Sequence, residues 1–296
     1  MRNLLKVAQS VAEFINAGDY GVEATAGVVQ KNNYSYNTVT IKNIDSNIGC
    51  NVNIDKIDGV ESLSIEDIAE KVLVVAEENA LEAIDADVLT SWDYIKDRVY
   101  PCLVNASNKE FLKDMVSYTV CDLAVYFRCP VEIGLSDGIS SFAITKGHLK
   151  ALGKTVEDIK AAAISNAEGE ASVKSMFETL GNLLDLDDSF VDSMVPSEPM
   201  YVISNNTMVH GAGTIINNNV MDKVCDIFKS DKLCIIPSSI HECIVVNLGL
   251  VSLDTVADMI KEVNATQVAV SDQLSDHPYV YIKGVGLTSN VTSAAA

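Results

Sequence analysis

The densest polar segment that could carry chemistry reads Pro-Ser-Ser-Ile-His-Glu-Cys over residues 237–243. It joins two apolar stretches, and such a connection is where a rigid scaffold positions a functional loop. A serine or cysteine nucleophile could use His241 as its base, with Glu242 orienting the imidazole. On a strand, Glu242 would point away from His241, whereas Cys243 would share its face, which allows a Cys–His pair. The alternative is a turn that the serines cap, with His241 bonded locally to backbone.

A second polar segment, Leu-Ser-Asp-His-Pro-Tyr, covers residues 274–279. Asp276 beside His277 could orient the imidazole, as in a catalytic triad, or support a histidine metal ligand from outside. The alternative is a Ser-Asp turn ahead of a proline. If His241 and His277 meet in space with Glu242 or Asp276 nearby, they would form a hydrolytic or metal site.

The other polar positions give weaker signals. His148 and His210 lie in no partner pattern, so we interpret both as surface or turn residues. Asp122 and Arg128 stand six positions apart in an apolar stretch, and on one strand they would share a face. Because buried charges need partners, we expect neighbours at an edge or a cap to satisfy both.

Several motifs for phosphate and metal chemistry are missing from the sequence. It contains neither G-x-x-x-x-G-K-[ST] nor G-x-G-x-x-G, and it has no H-E-x-x-H. The acidic run from Asp185 begins like a calcium loop, but Phe190 and Pro196 replace the required Gly and Glu. The seven cysteines are odd in number and match no zinc spacing, so we interpret them as reduced structural thiols. We therefore predict no cofactor and no bound metal.

The chain is strongly acidic. Its 296 residues include 41 acidic and 21 basic side chains, a net charge of −20 at pH 7. Duplex nucleic acid and anionic membranes need a basic footprint, so the charge excludes both as partners. Residues 61–98 hold eleven acids and three bases, and residues 168–198 hold eight acids and one base. Solvated helix faces and a linker explain both segments, and an acidic surface that docks a basic partner is the alternative.

The elements that must position these residues follow from periodicity. Four apolar residues at helical spacing predict an amphipathic N-terminal helix rather than a signal peptide: Leu4, Ala8, Val11 and Ile15. Three β-rich runs at 21–30, 36–42 and 48–54 predict an antiparallel meander with one wet face. A capping box at Ser64 predicts the next helix. The stretch Trp92–Asn105 is predicted to be a helix that breaks or kinks at Pro101.

The rest of the chain alternates strands and helices. One strand is predicted from Val120 to Val131, pairing with residues 139–145 across a turn at 136–138. A capping box at Thr155 begins a helix through Ala167, and a weaker helix follows. That weaker helix is expected at 173–184, and a later helix at 220–228. Strands are expected at 200–204, 212–216, 233–236, 243–246 and 279–282. Ser252 is predicted to cap a last helix with four inward residues: Val256, Met259, Ile260 and Val263.

Strand pairs mixed with helices, without strict βαβ alternation, predict an α+β fold with mainly antiparallel strands. We divide the chain into residues 1–116, 117–195 and 196–283 within one integrated unit, followed by a flexible tail at 284–296. Residues 185–199, rich in Asp, Ser and Pro, are the best boundary. The apolar stretch 233–253 is interrupted by polar residues, so we predict two strands and a turn, and a cytoplasmic location.

Five segments together resemble an uncharacterised bacterial family, a domain of unknown function found in clostridial gut anaerobes and their phages or mobile elements. The segments are 121–128, 144–159, 200–205, 235–242 and 274–277, of which Pro-Ser-Ser-Ile-His-Glu is the most distinctive. The resemblance covers residues 1–283, and the middle and last thirds also resemble a wider uncharacterised bacterial family. It implies one α+β unit in a bacterial or phage cytosol, and it supplies no activity or catalytic residue.

We predict a non-catalytic protein that binds a small ligand or a protein partner. The first alternative is a hydrolase that uses His241 and His277 with Glu242, Asp276 or Cys243. The second is an acidic inhibitor or nucleic-acid mimic that binds a basic host protein. The oligomeric state does not follow from the sequence.

Overall fold

The computed structural model describes residues 2–79, 86–131, 140–184 and 199–289. The chain divides into two units, Met1–Ser91 with Pro130–Phe142, and Trp92–Cys129 with Ala143–Ala296. The described helices are α1 (Leu4–Ala17), α2 (Ile65–Glu78), α3 (Ala86–Thr90), α4 (Trp92–Lys96), α5 (Lys109–Leu112), α6 (Lys146–Leu152), α7 (Val156–Gly169), α8 (Met176–Leu184), α9 (Asn218–Phe228) and α10 (Leu253–Thr266).

The described strands build three sheets, and the fold is α+β as predicted. They are β1 (Val22–Lys31), β2 (Tyr34–Asn43), β3 (Gly49–Asn53), β4 (Tyr100–Asn105), β5 (Ser117–Val120), β6 (Leu123–Pro130), β7 (Ser141–Ala143), β8 (Ala171–Ser175), β9 (Tyr201–Asn205), β10 (Lys232–Pro237), β11 (Cys243–Asn247), β12 (Tyr279–Ile282) and β13 (Gly286–Thr288). The first unit holds β1-β2-β3 as the predicted meander.

The core of the first unit forms where α1 and α2 pack on this meander. Val11 on α1, Val39 and Val52 on the strands, and Ile68 on α2 are at most 3% exposed. The capping box at Ser64 is confirmed, since the Ser64 hydroxyl accepts the Asp67 N–H at 3.1 Å and Asp67 accepts the Ser64 N–H at 3.2 Å. Apolar residues at helical spacing thus bind two helices to one face of the sheet.

A six-stranded sheet with the order β13-β12-β10-β11-β9-β8 dominates the second unit, and every pairing in it is antiparallel. Helix α10 packs on this sheet through Val256 and Ile260, which meet Cys234, Ile236 and Val246. A smaller sheet has the order β4-β6-β5, with β7 paired to β6.

The prediction of a helix over 92–105 is confirmed up to Lys96 and is wrong for the residues after it. Helix α4 ends at Lys96, and the residues after Val99 run as β4. Pro101 has no N–H to donate, and β4 lies at the edge of its sheet, where a proline is tolerated. The predicted strand at 212–216 is instead a 3-10 helix, Gly211–Ile216, pressed so closely on β4 that a Cβ at Gly213 would collide with the Pro101 carbonyl.

The predicted strand from Val120 to Val131 corresponds to β6, whereas Val120 itself ends β5, the other strand of a hairpin. Strand β5 ends at Val120, and Cys121 turns the chain in the left-handed region with φ +56°, so Asp122 lies in the turn rather than on a strand face with Arg128. The predicted weak helix at 173 begins only at Met176, after β8.

Two predictions for the C-terminal part also need correction. Met259 and Val263 are 46% and 41% exposed rather than inward, because the buried stripe of α10 continues through Asn264. Ser252 makes no capping hydrogen bond with its side chain. The predicted tail contains β13, which pairs with β12, and residues 290–296 of it lie outside the described part of the chain. The predicted boundary at 185–199 is also outside it, apart from Pro199.

Candidate functional site

Three connections of the second unit meet at one end of the six-stranded sheet, and they carry both predicted polar segments. They are the β10–β11 turn, the β9–α9 connection and the loop that leads into β12. The Ala212 N–H donates to the Ile240 carbonyl at 3.3 Å, and the Ile240 N–H donates to the Asp272 carbonyl at 2.8 Å. These backbone bonds hold the three connections together.

His241 lies where these connections meet. Its Nδ1 accepts the backbone N–H of His210 at 3.2 Å, so in the neutral ring the proton is on Nε2. Nε2 lies 3.8 Å from Asp272 Oδ1, and the side chain is 30% exposed. In this arrangement the neutral ring has no lone pair left to take a proton from a nucleophile.

The other candidate residues of this segment have structural surroundings: Ser239 and Glu242 bond within the turn, and Cys243 is buried. The Ser239 hydroxyl donates to Glu242 Oε1 at 2.9 Å and accepts the His241 N–H at 3.0 Å. The Ser204 hydroxyl donates to the His241 carbonyl at 2.8 Å. Cys243 is completely buried, and burial, followed by the charge of Glu242, raises the pKa of its thiol well above the usual range. It is therefore a poor source of thiolate.

His210 belongs to this site although the sequence interpretation set it apart as a surface or turn residue. Its backbone is left-handed with φ +54°, and its ring stacks on that of His241 with 5.6 Å between centroids and 27° between planes. A Cβ at the next residue, Gly211, would lie 2.5 Å from the Asn205 nitrogen and 2.7 Å from the His241 oxygen. The Gly-Ala-Gly sequence directly after His210 was the available signal, because glycines permit such close approach.

His277 forms a second group with Asp122 and Tyr279. Its Nε2 lies 3.0 Å from Asp122 Oδ2, and its Nδ1 lies 3.0 Å from the Pro278 carbonyl oxygen. The Tyr279 hydroxyl donates to Asp122 Oδ1 at 2.6 Å. Both partners of the imidazole are hydrogen-bond acceptors, so only the doubly protonated ring can satisfy both contacts at once.

The electrostatics of this group follow from its contacts. Burial works to raise the pKa of the Asp122 carboxyl, but the hydrogen bonds from Tyr279 and His277 outweigh it and hold the pKa below its usual range. Burial, followed by the hydrogen bond to Asp122, raises the pKa of the Tyr279 hydroxyl well above its usual range. The carboxylate is thus ionised and the phenol neutral at pH 7.

The Asp276 carboxylate binds Asn264 rather than an imidazole. Its Oδ1 accepts the amide of Asn264 at 2.8 Å, and the same amide donates to the Ser275 carbonyl at 3.0 Å. The pairing of Ile235 with Tyr279 brings His277 beside the end of β10, so His277 and His241 share one end of the sheet. Their contacts place them in two separate groups. Within the described ranges, no three His, Cys, Asp or Glu side chains are arranged to hold a metal ion.

One further motif falls on residues 134–138. Gly-Leu-Ser-Asp-Gly fits the G-x-S-x-G pattern of a nucleophile elbow, but it lies outside the described residues. An elbow requires a strand followed by a helix. Here the pattern lies between β6 and β7, which pair with each other. The spacing alone therefore assigns no nucleophile.

The first unit contains a cavity of about 450 Å³. Its inner wall is apolar and includes Ile41 and Ala76, which are both 6% exposed. The apolar lining continues with Val22, Ile48 and Leu73. Residues from β1, from β2 and the loop after it, and from α2 thus enclose a space of the size that small ligands occupy.

Polar groups surround this apolar wall. Those of the lining come from Tyr20, Asn43, Ser46, Glu77 and Asn79, together with the Cys50 thiol. Burial raises the pKa of that thiol above its usual value. The sequence interpretation proposed no site here. No local motif marks the cavity, because its lining comes from segments that only the fold brings together.

Among the residues described, no helix combines the length and the apolar character needed to cross a membrane. Comparison with curated proteins and with solved structures gives no match for this chain. One family model does match, and it covers residues 4–283, nearly the whole chain and both units. The chain therefore belongs to the family of unknown function DUF5688.

Proposed function

We propose that the protein binds a small ligand in the cavity of its first unit and catalyses no reaction on it. The observation that carries this proposal is the cavity itself. Its volume of about 450 Å³ lies within the range typical of small-molecule sites. Its lining combines five apolar residues with six that carry polar groups, so a ligand there would meet both kinds of contact.

The chemistry of the cavity lining supports binding rather than catalysis. Among the described residues of the lining, Glu77 is the one carboxylate and there is no histidine. The Cys50 thiol has a raised pKa, which disfavours the reactive thiolate. A nucleophile paired with a base is the minimum for covalent catalysis, and the described lining, where the Ser46 hydroxyl donates to the Ile48 carbonyl, supplies no such pair.

The experiment is to fill the cavity. Leu73→Trp adds bulk from the cavity wall, whereas Val74→Trp places the same side chain at a position that is 53% exposed. We expect native mass spectrometry and a thermal-shift screen of small molecules to find ligands that raise the Tm of the wild type and of Val74→Trp. Leu73→Trp should lose these shifts. Equal ligand shifts in both variants, or no ligand for the wild type, would contradict the proposal.

A hydrolase remains the second candidate, favoured by the 3.0 Å contact between His277 and Asp122. A substrate would have to replace one of the two acceptors that engage the imidazole before the ring could exchange a proton with it. Hydrolysis of p-nitrophenyl acetate by wild type and by His277→Gln tests this candidate. A rate above the uncatalysed background that the variant loses would favour it over the binding role.

A further inference from the structure

We infer that the cavity of the first unit selects a cationic ligand, an ammonium group carried on an apolar body. This inference rests on the proposed binding function and adds the chemical class of the ligand. The polar groups of the described lining supply one formal negative charge, at Glu77, and one electron-rich ring, at Tyr20. Lysine, arginine and histidine are all missing from the described lining, so nothing there would balance an anion.

The position of Glu77 strengthens the attraction for a cation. Glu77 lies in the last turn of α2, a fourteen-residue helix whose last turn contains no basic residue. The C-terminus of a helix carries a partial negative charge that favours cations. The Asn79 amide donates to the Val75 carbonyl at 2.8 Å and satisfies part of this helix end. No ion pair within the described ranges involves Glu77.

The surroundings carry charge of the same sign. Residues 1–91 contain fifteen acidic and six basic side chains. Lys42, on the strand that lines the cavity, pairs with Glu23 at 2.9 Å. An ammonium group near Glu77 would therefore meet a negative potential, and the Tyr20 ring could add a cation–π contact.

The apolar wall determines the other half of the ligand. Val22, Ile48 and Leu73 are partly exposed and offer apolar surface to the cavity, whereas Ile41 and Ala76 expose only 6% each. A hydrated inorganic cation gains nothing from such a wall, and the described residues offer no group of three metal ligands. An alkyl or aryl body would bury apolar area there while its ammonium group stays beside Glu77.

A matched series of probes tests this inference: n-hexylamine, n-hexanol and n-hexanoate, titrated into the full chain at pH 7 and followed by NMR. We expect the amine to bind about tenfold more tightly than the alcohol and the carboxylate to bind least. Glu77→Gln should weaken the amine about tenfold and leave the alcohol unchanged. Glu78→Gln, which alters the next residue outside the lining, is the control and should behave as wild type.

The outcomes separate this inference from the proposed function. If the amine and the alcohol bind wild type equally, or if Glu77→Gln leaves the amine unchanged, the cationic preference is overturned while the cavity remains a binding site. Binding that Leu73→Trp abolishes and Val74→Trp retains upholds the proposed function in either case. If no probe binds wild type, the inferred ligand class is overturned, and the broader screen with the two tryptophan variants decides the proposed function separately.

Discussion

The Asp122 carboxylate lies in a hairpin turn, yet it receives hydrogen bonds from two residues more than 150 positions away. Tyr279 donates at 2.6 Å, and His277 Nε2 lies 3.0 Å away. Neither contact follows from local sequence. The sequence suggested that Asp276 orients His277. Asp276 instead accepts a hydrogen bond from the Asn264 amide.

The lowered pKa of Asp122 predicts a pH-dependent contribution to stability. A carboxyl whose pKa is lower in the folded state stabilises the fold above its unfolded pKa, near pH 4, and loses that effect as the pH falls through the folded value. Asp122→Asn should therefore lower the free energy of unfolding by about 1 kcal/mol at pH 7. It should change it by nearly nothing at acid pH, where the carboxyl is protonated. Chemical denaturation measured between pH 7 and pH 2.5 checks this.

The control for this prediction is Asp258→Asn. Asp258 is 84% exposed and pairs with Lys261 at 3.8 Å, so its loss should change stability by less than about 0.5 kcal/mol. A difference between wild type and Asp122→Asn that stays constant down to pH 2.5 would show that the carboxylate charge is not responsible.

Gly211 is required for close packing rather than for a special backbone conformation. A Cβ at this position would meet the Ser204 hydroxyl, the Asn205 nitrogen and the His241 carbonyl, all too closely. Gly211→Ala should destabilise the protein by about 2–4 kcal/mol, as overpacking against backbone does. Gly169→Ala, where nothing lies within 4 Å, should be neutral or stabilising. Similar Tm values for the two variants would refute this account.

At the scale of elements, helix caps show where sequence reasoning succeeds. Ser64 and Thr155 each begin a helix with a capping box, and the structure confirms both. The pattern is local, so four residues carry all the information it needs. Ser252 has the right residue type before α10, but its side chain makes no capping bond.

This contrast gives a prediction about the two helices. Thr155→Ala removes a hydroxyl that accepts the Asp158 N–H at 3.2 Å, and it should cost about 1 kcal/mol. Ser252→Ala removes no cap and should change stability by less than about 0.3 kcal/mol. Urea denaturation of both variants measures the difference. Equal losses would mean that Ser252 caps its helix in solution after all.

At the scale of the whole molecule, the net charge of −20 is the dominant electrostatic fact. Single ion pairs on the surface, such as Lys223 with Glu168 at 2.9 Å, contribute little in water. Repulsion among the excess carboxylates opposes folding and is screened by salt. The docking of a basic partner on residues 61–98 stays a prediction, and a pull-down with those charges reversed tests it.

Screening should therefore stabilise the fold. Raising NaCl from about 20 mM to about 200 mM shortens the Debye length about threefold and should raise the Tm at pH 7. A variant with less charge, Glu66→Gln with Glu70→Gln, should gain less from the same salt step, since both residues are exposed. Differential scanning calorimetry measures the change in Tm with NaCl for the wild type and for the variant. A Tm that falls with salt would mean that ion pairs outweigh repulsion.

The sequence by itself determined the α+β class, the N-terminal helix, the meander and two helix caps. These depend on periodicity and on contacts between near neighbours in the chain, so local patterns contain the necessary information. It also placed His241 and Asp276 in turns as one of two alternatives.

Only the tertiary structure decided which polar residues meet. Asp122 with His277, His210 with His241, and the cavity beside Glu77 are contacts between distant segments. Strand order and register create them, and these depend on how whole elements pack rather than on local preference. Pro101 shows the same limit: its residue type excluded a continuous helix, but only the sheet order made it an edge-strand residue.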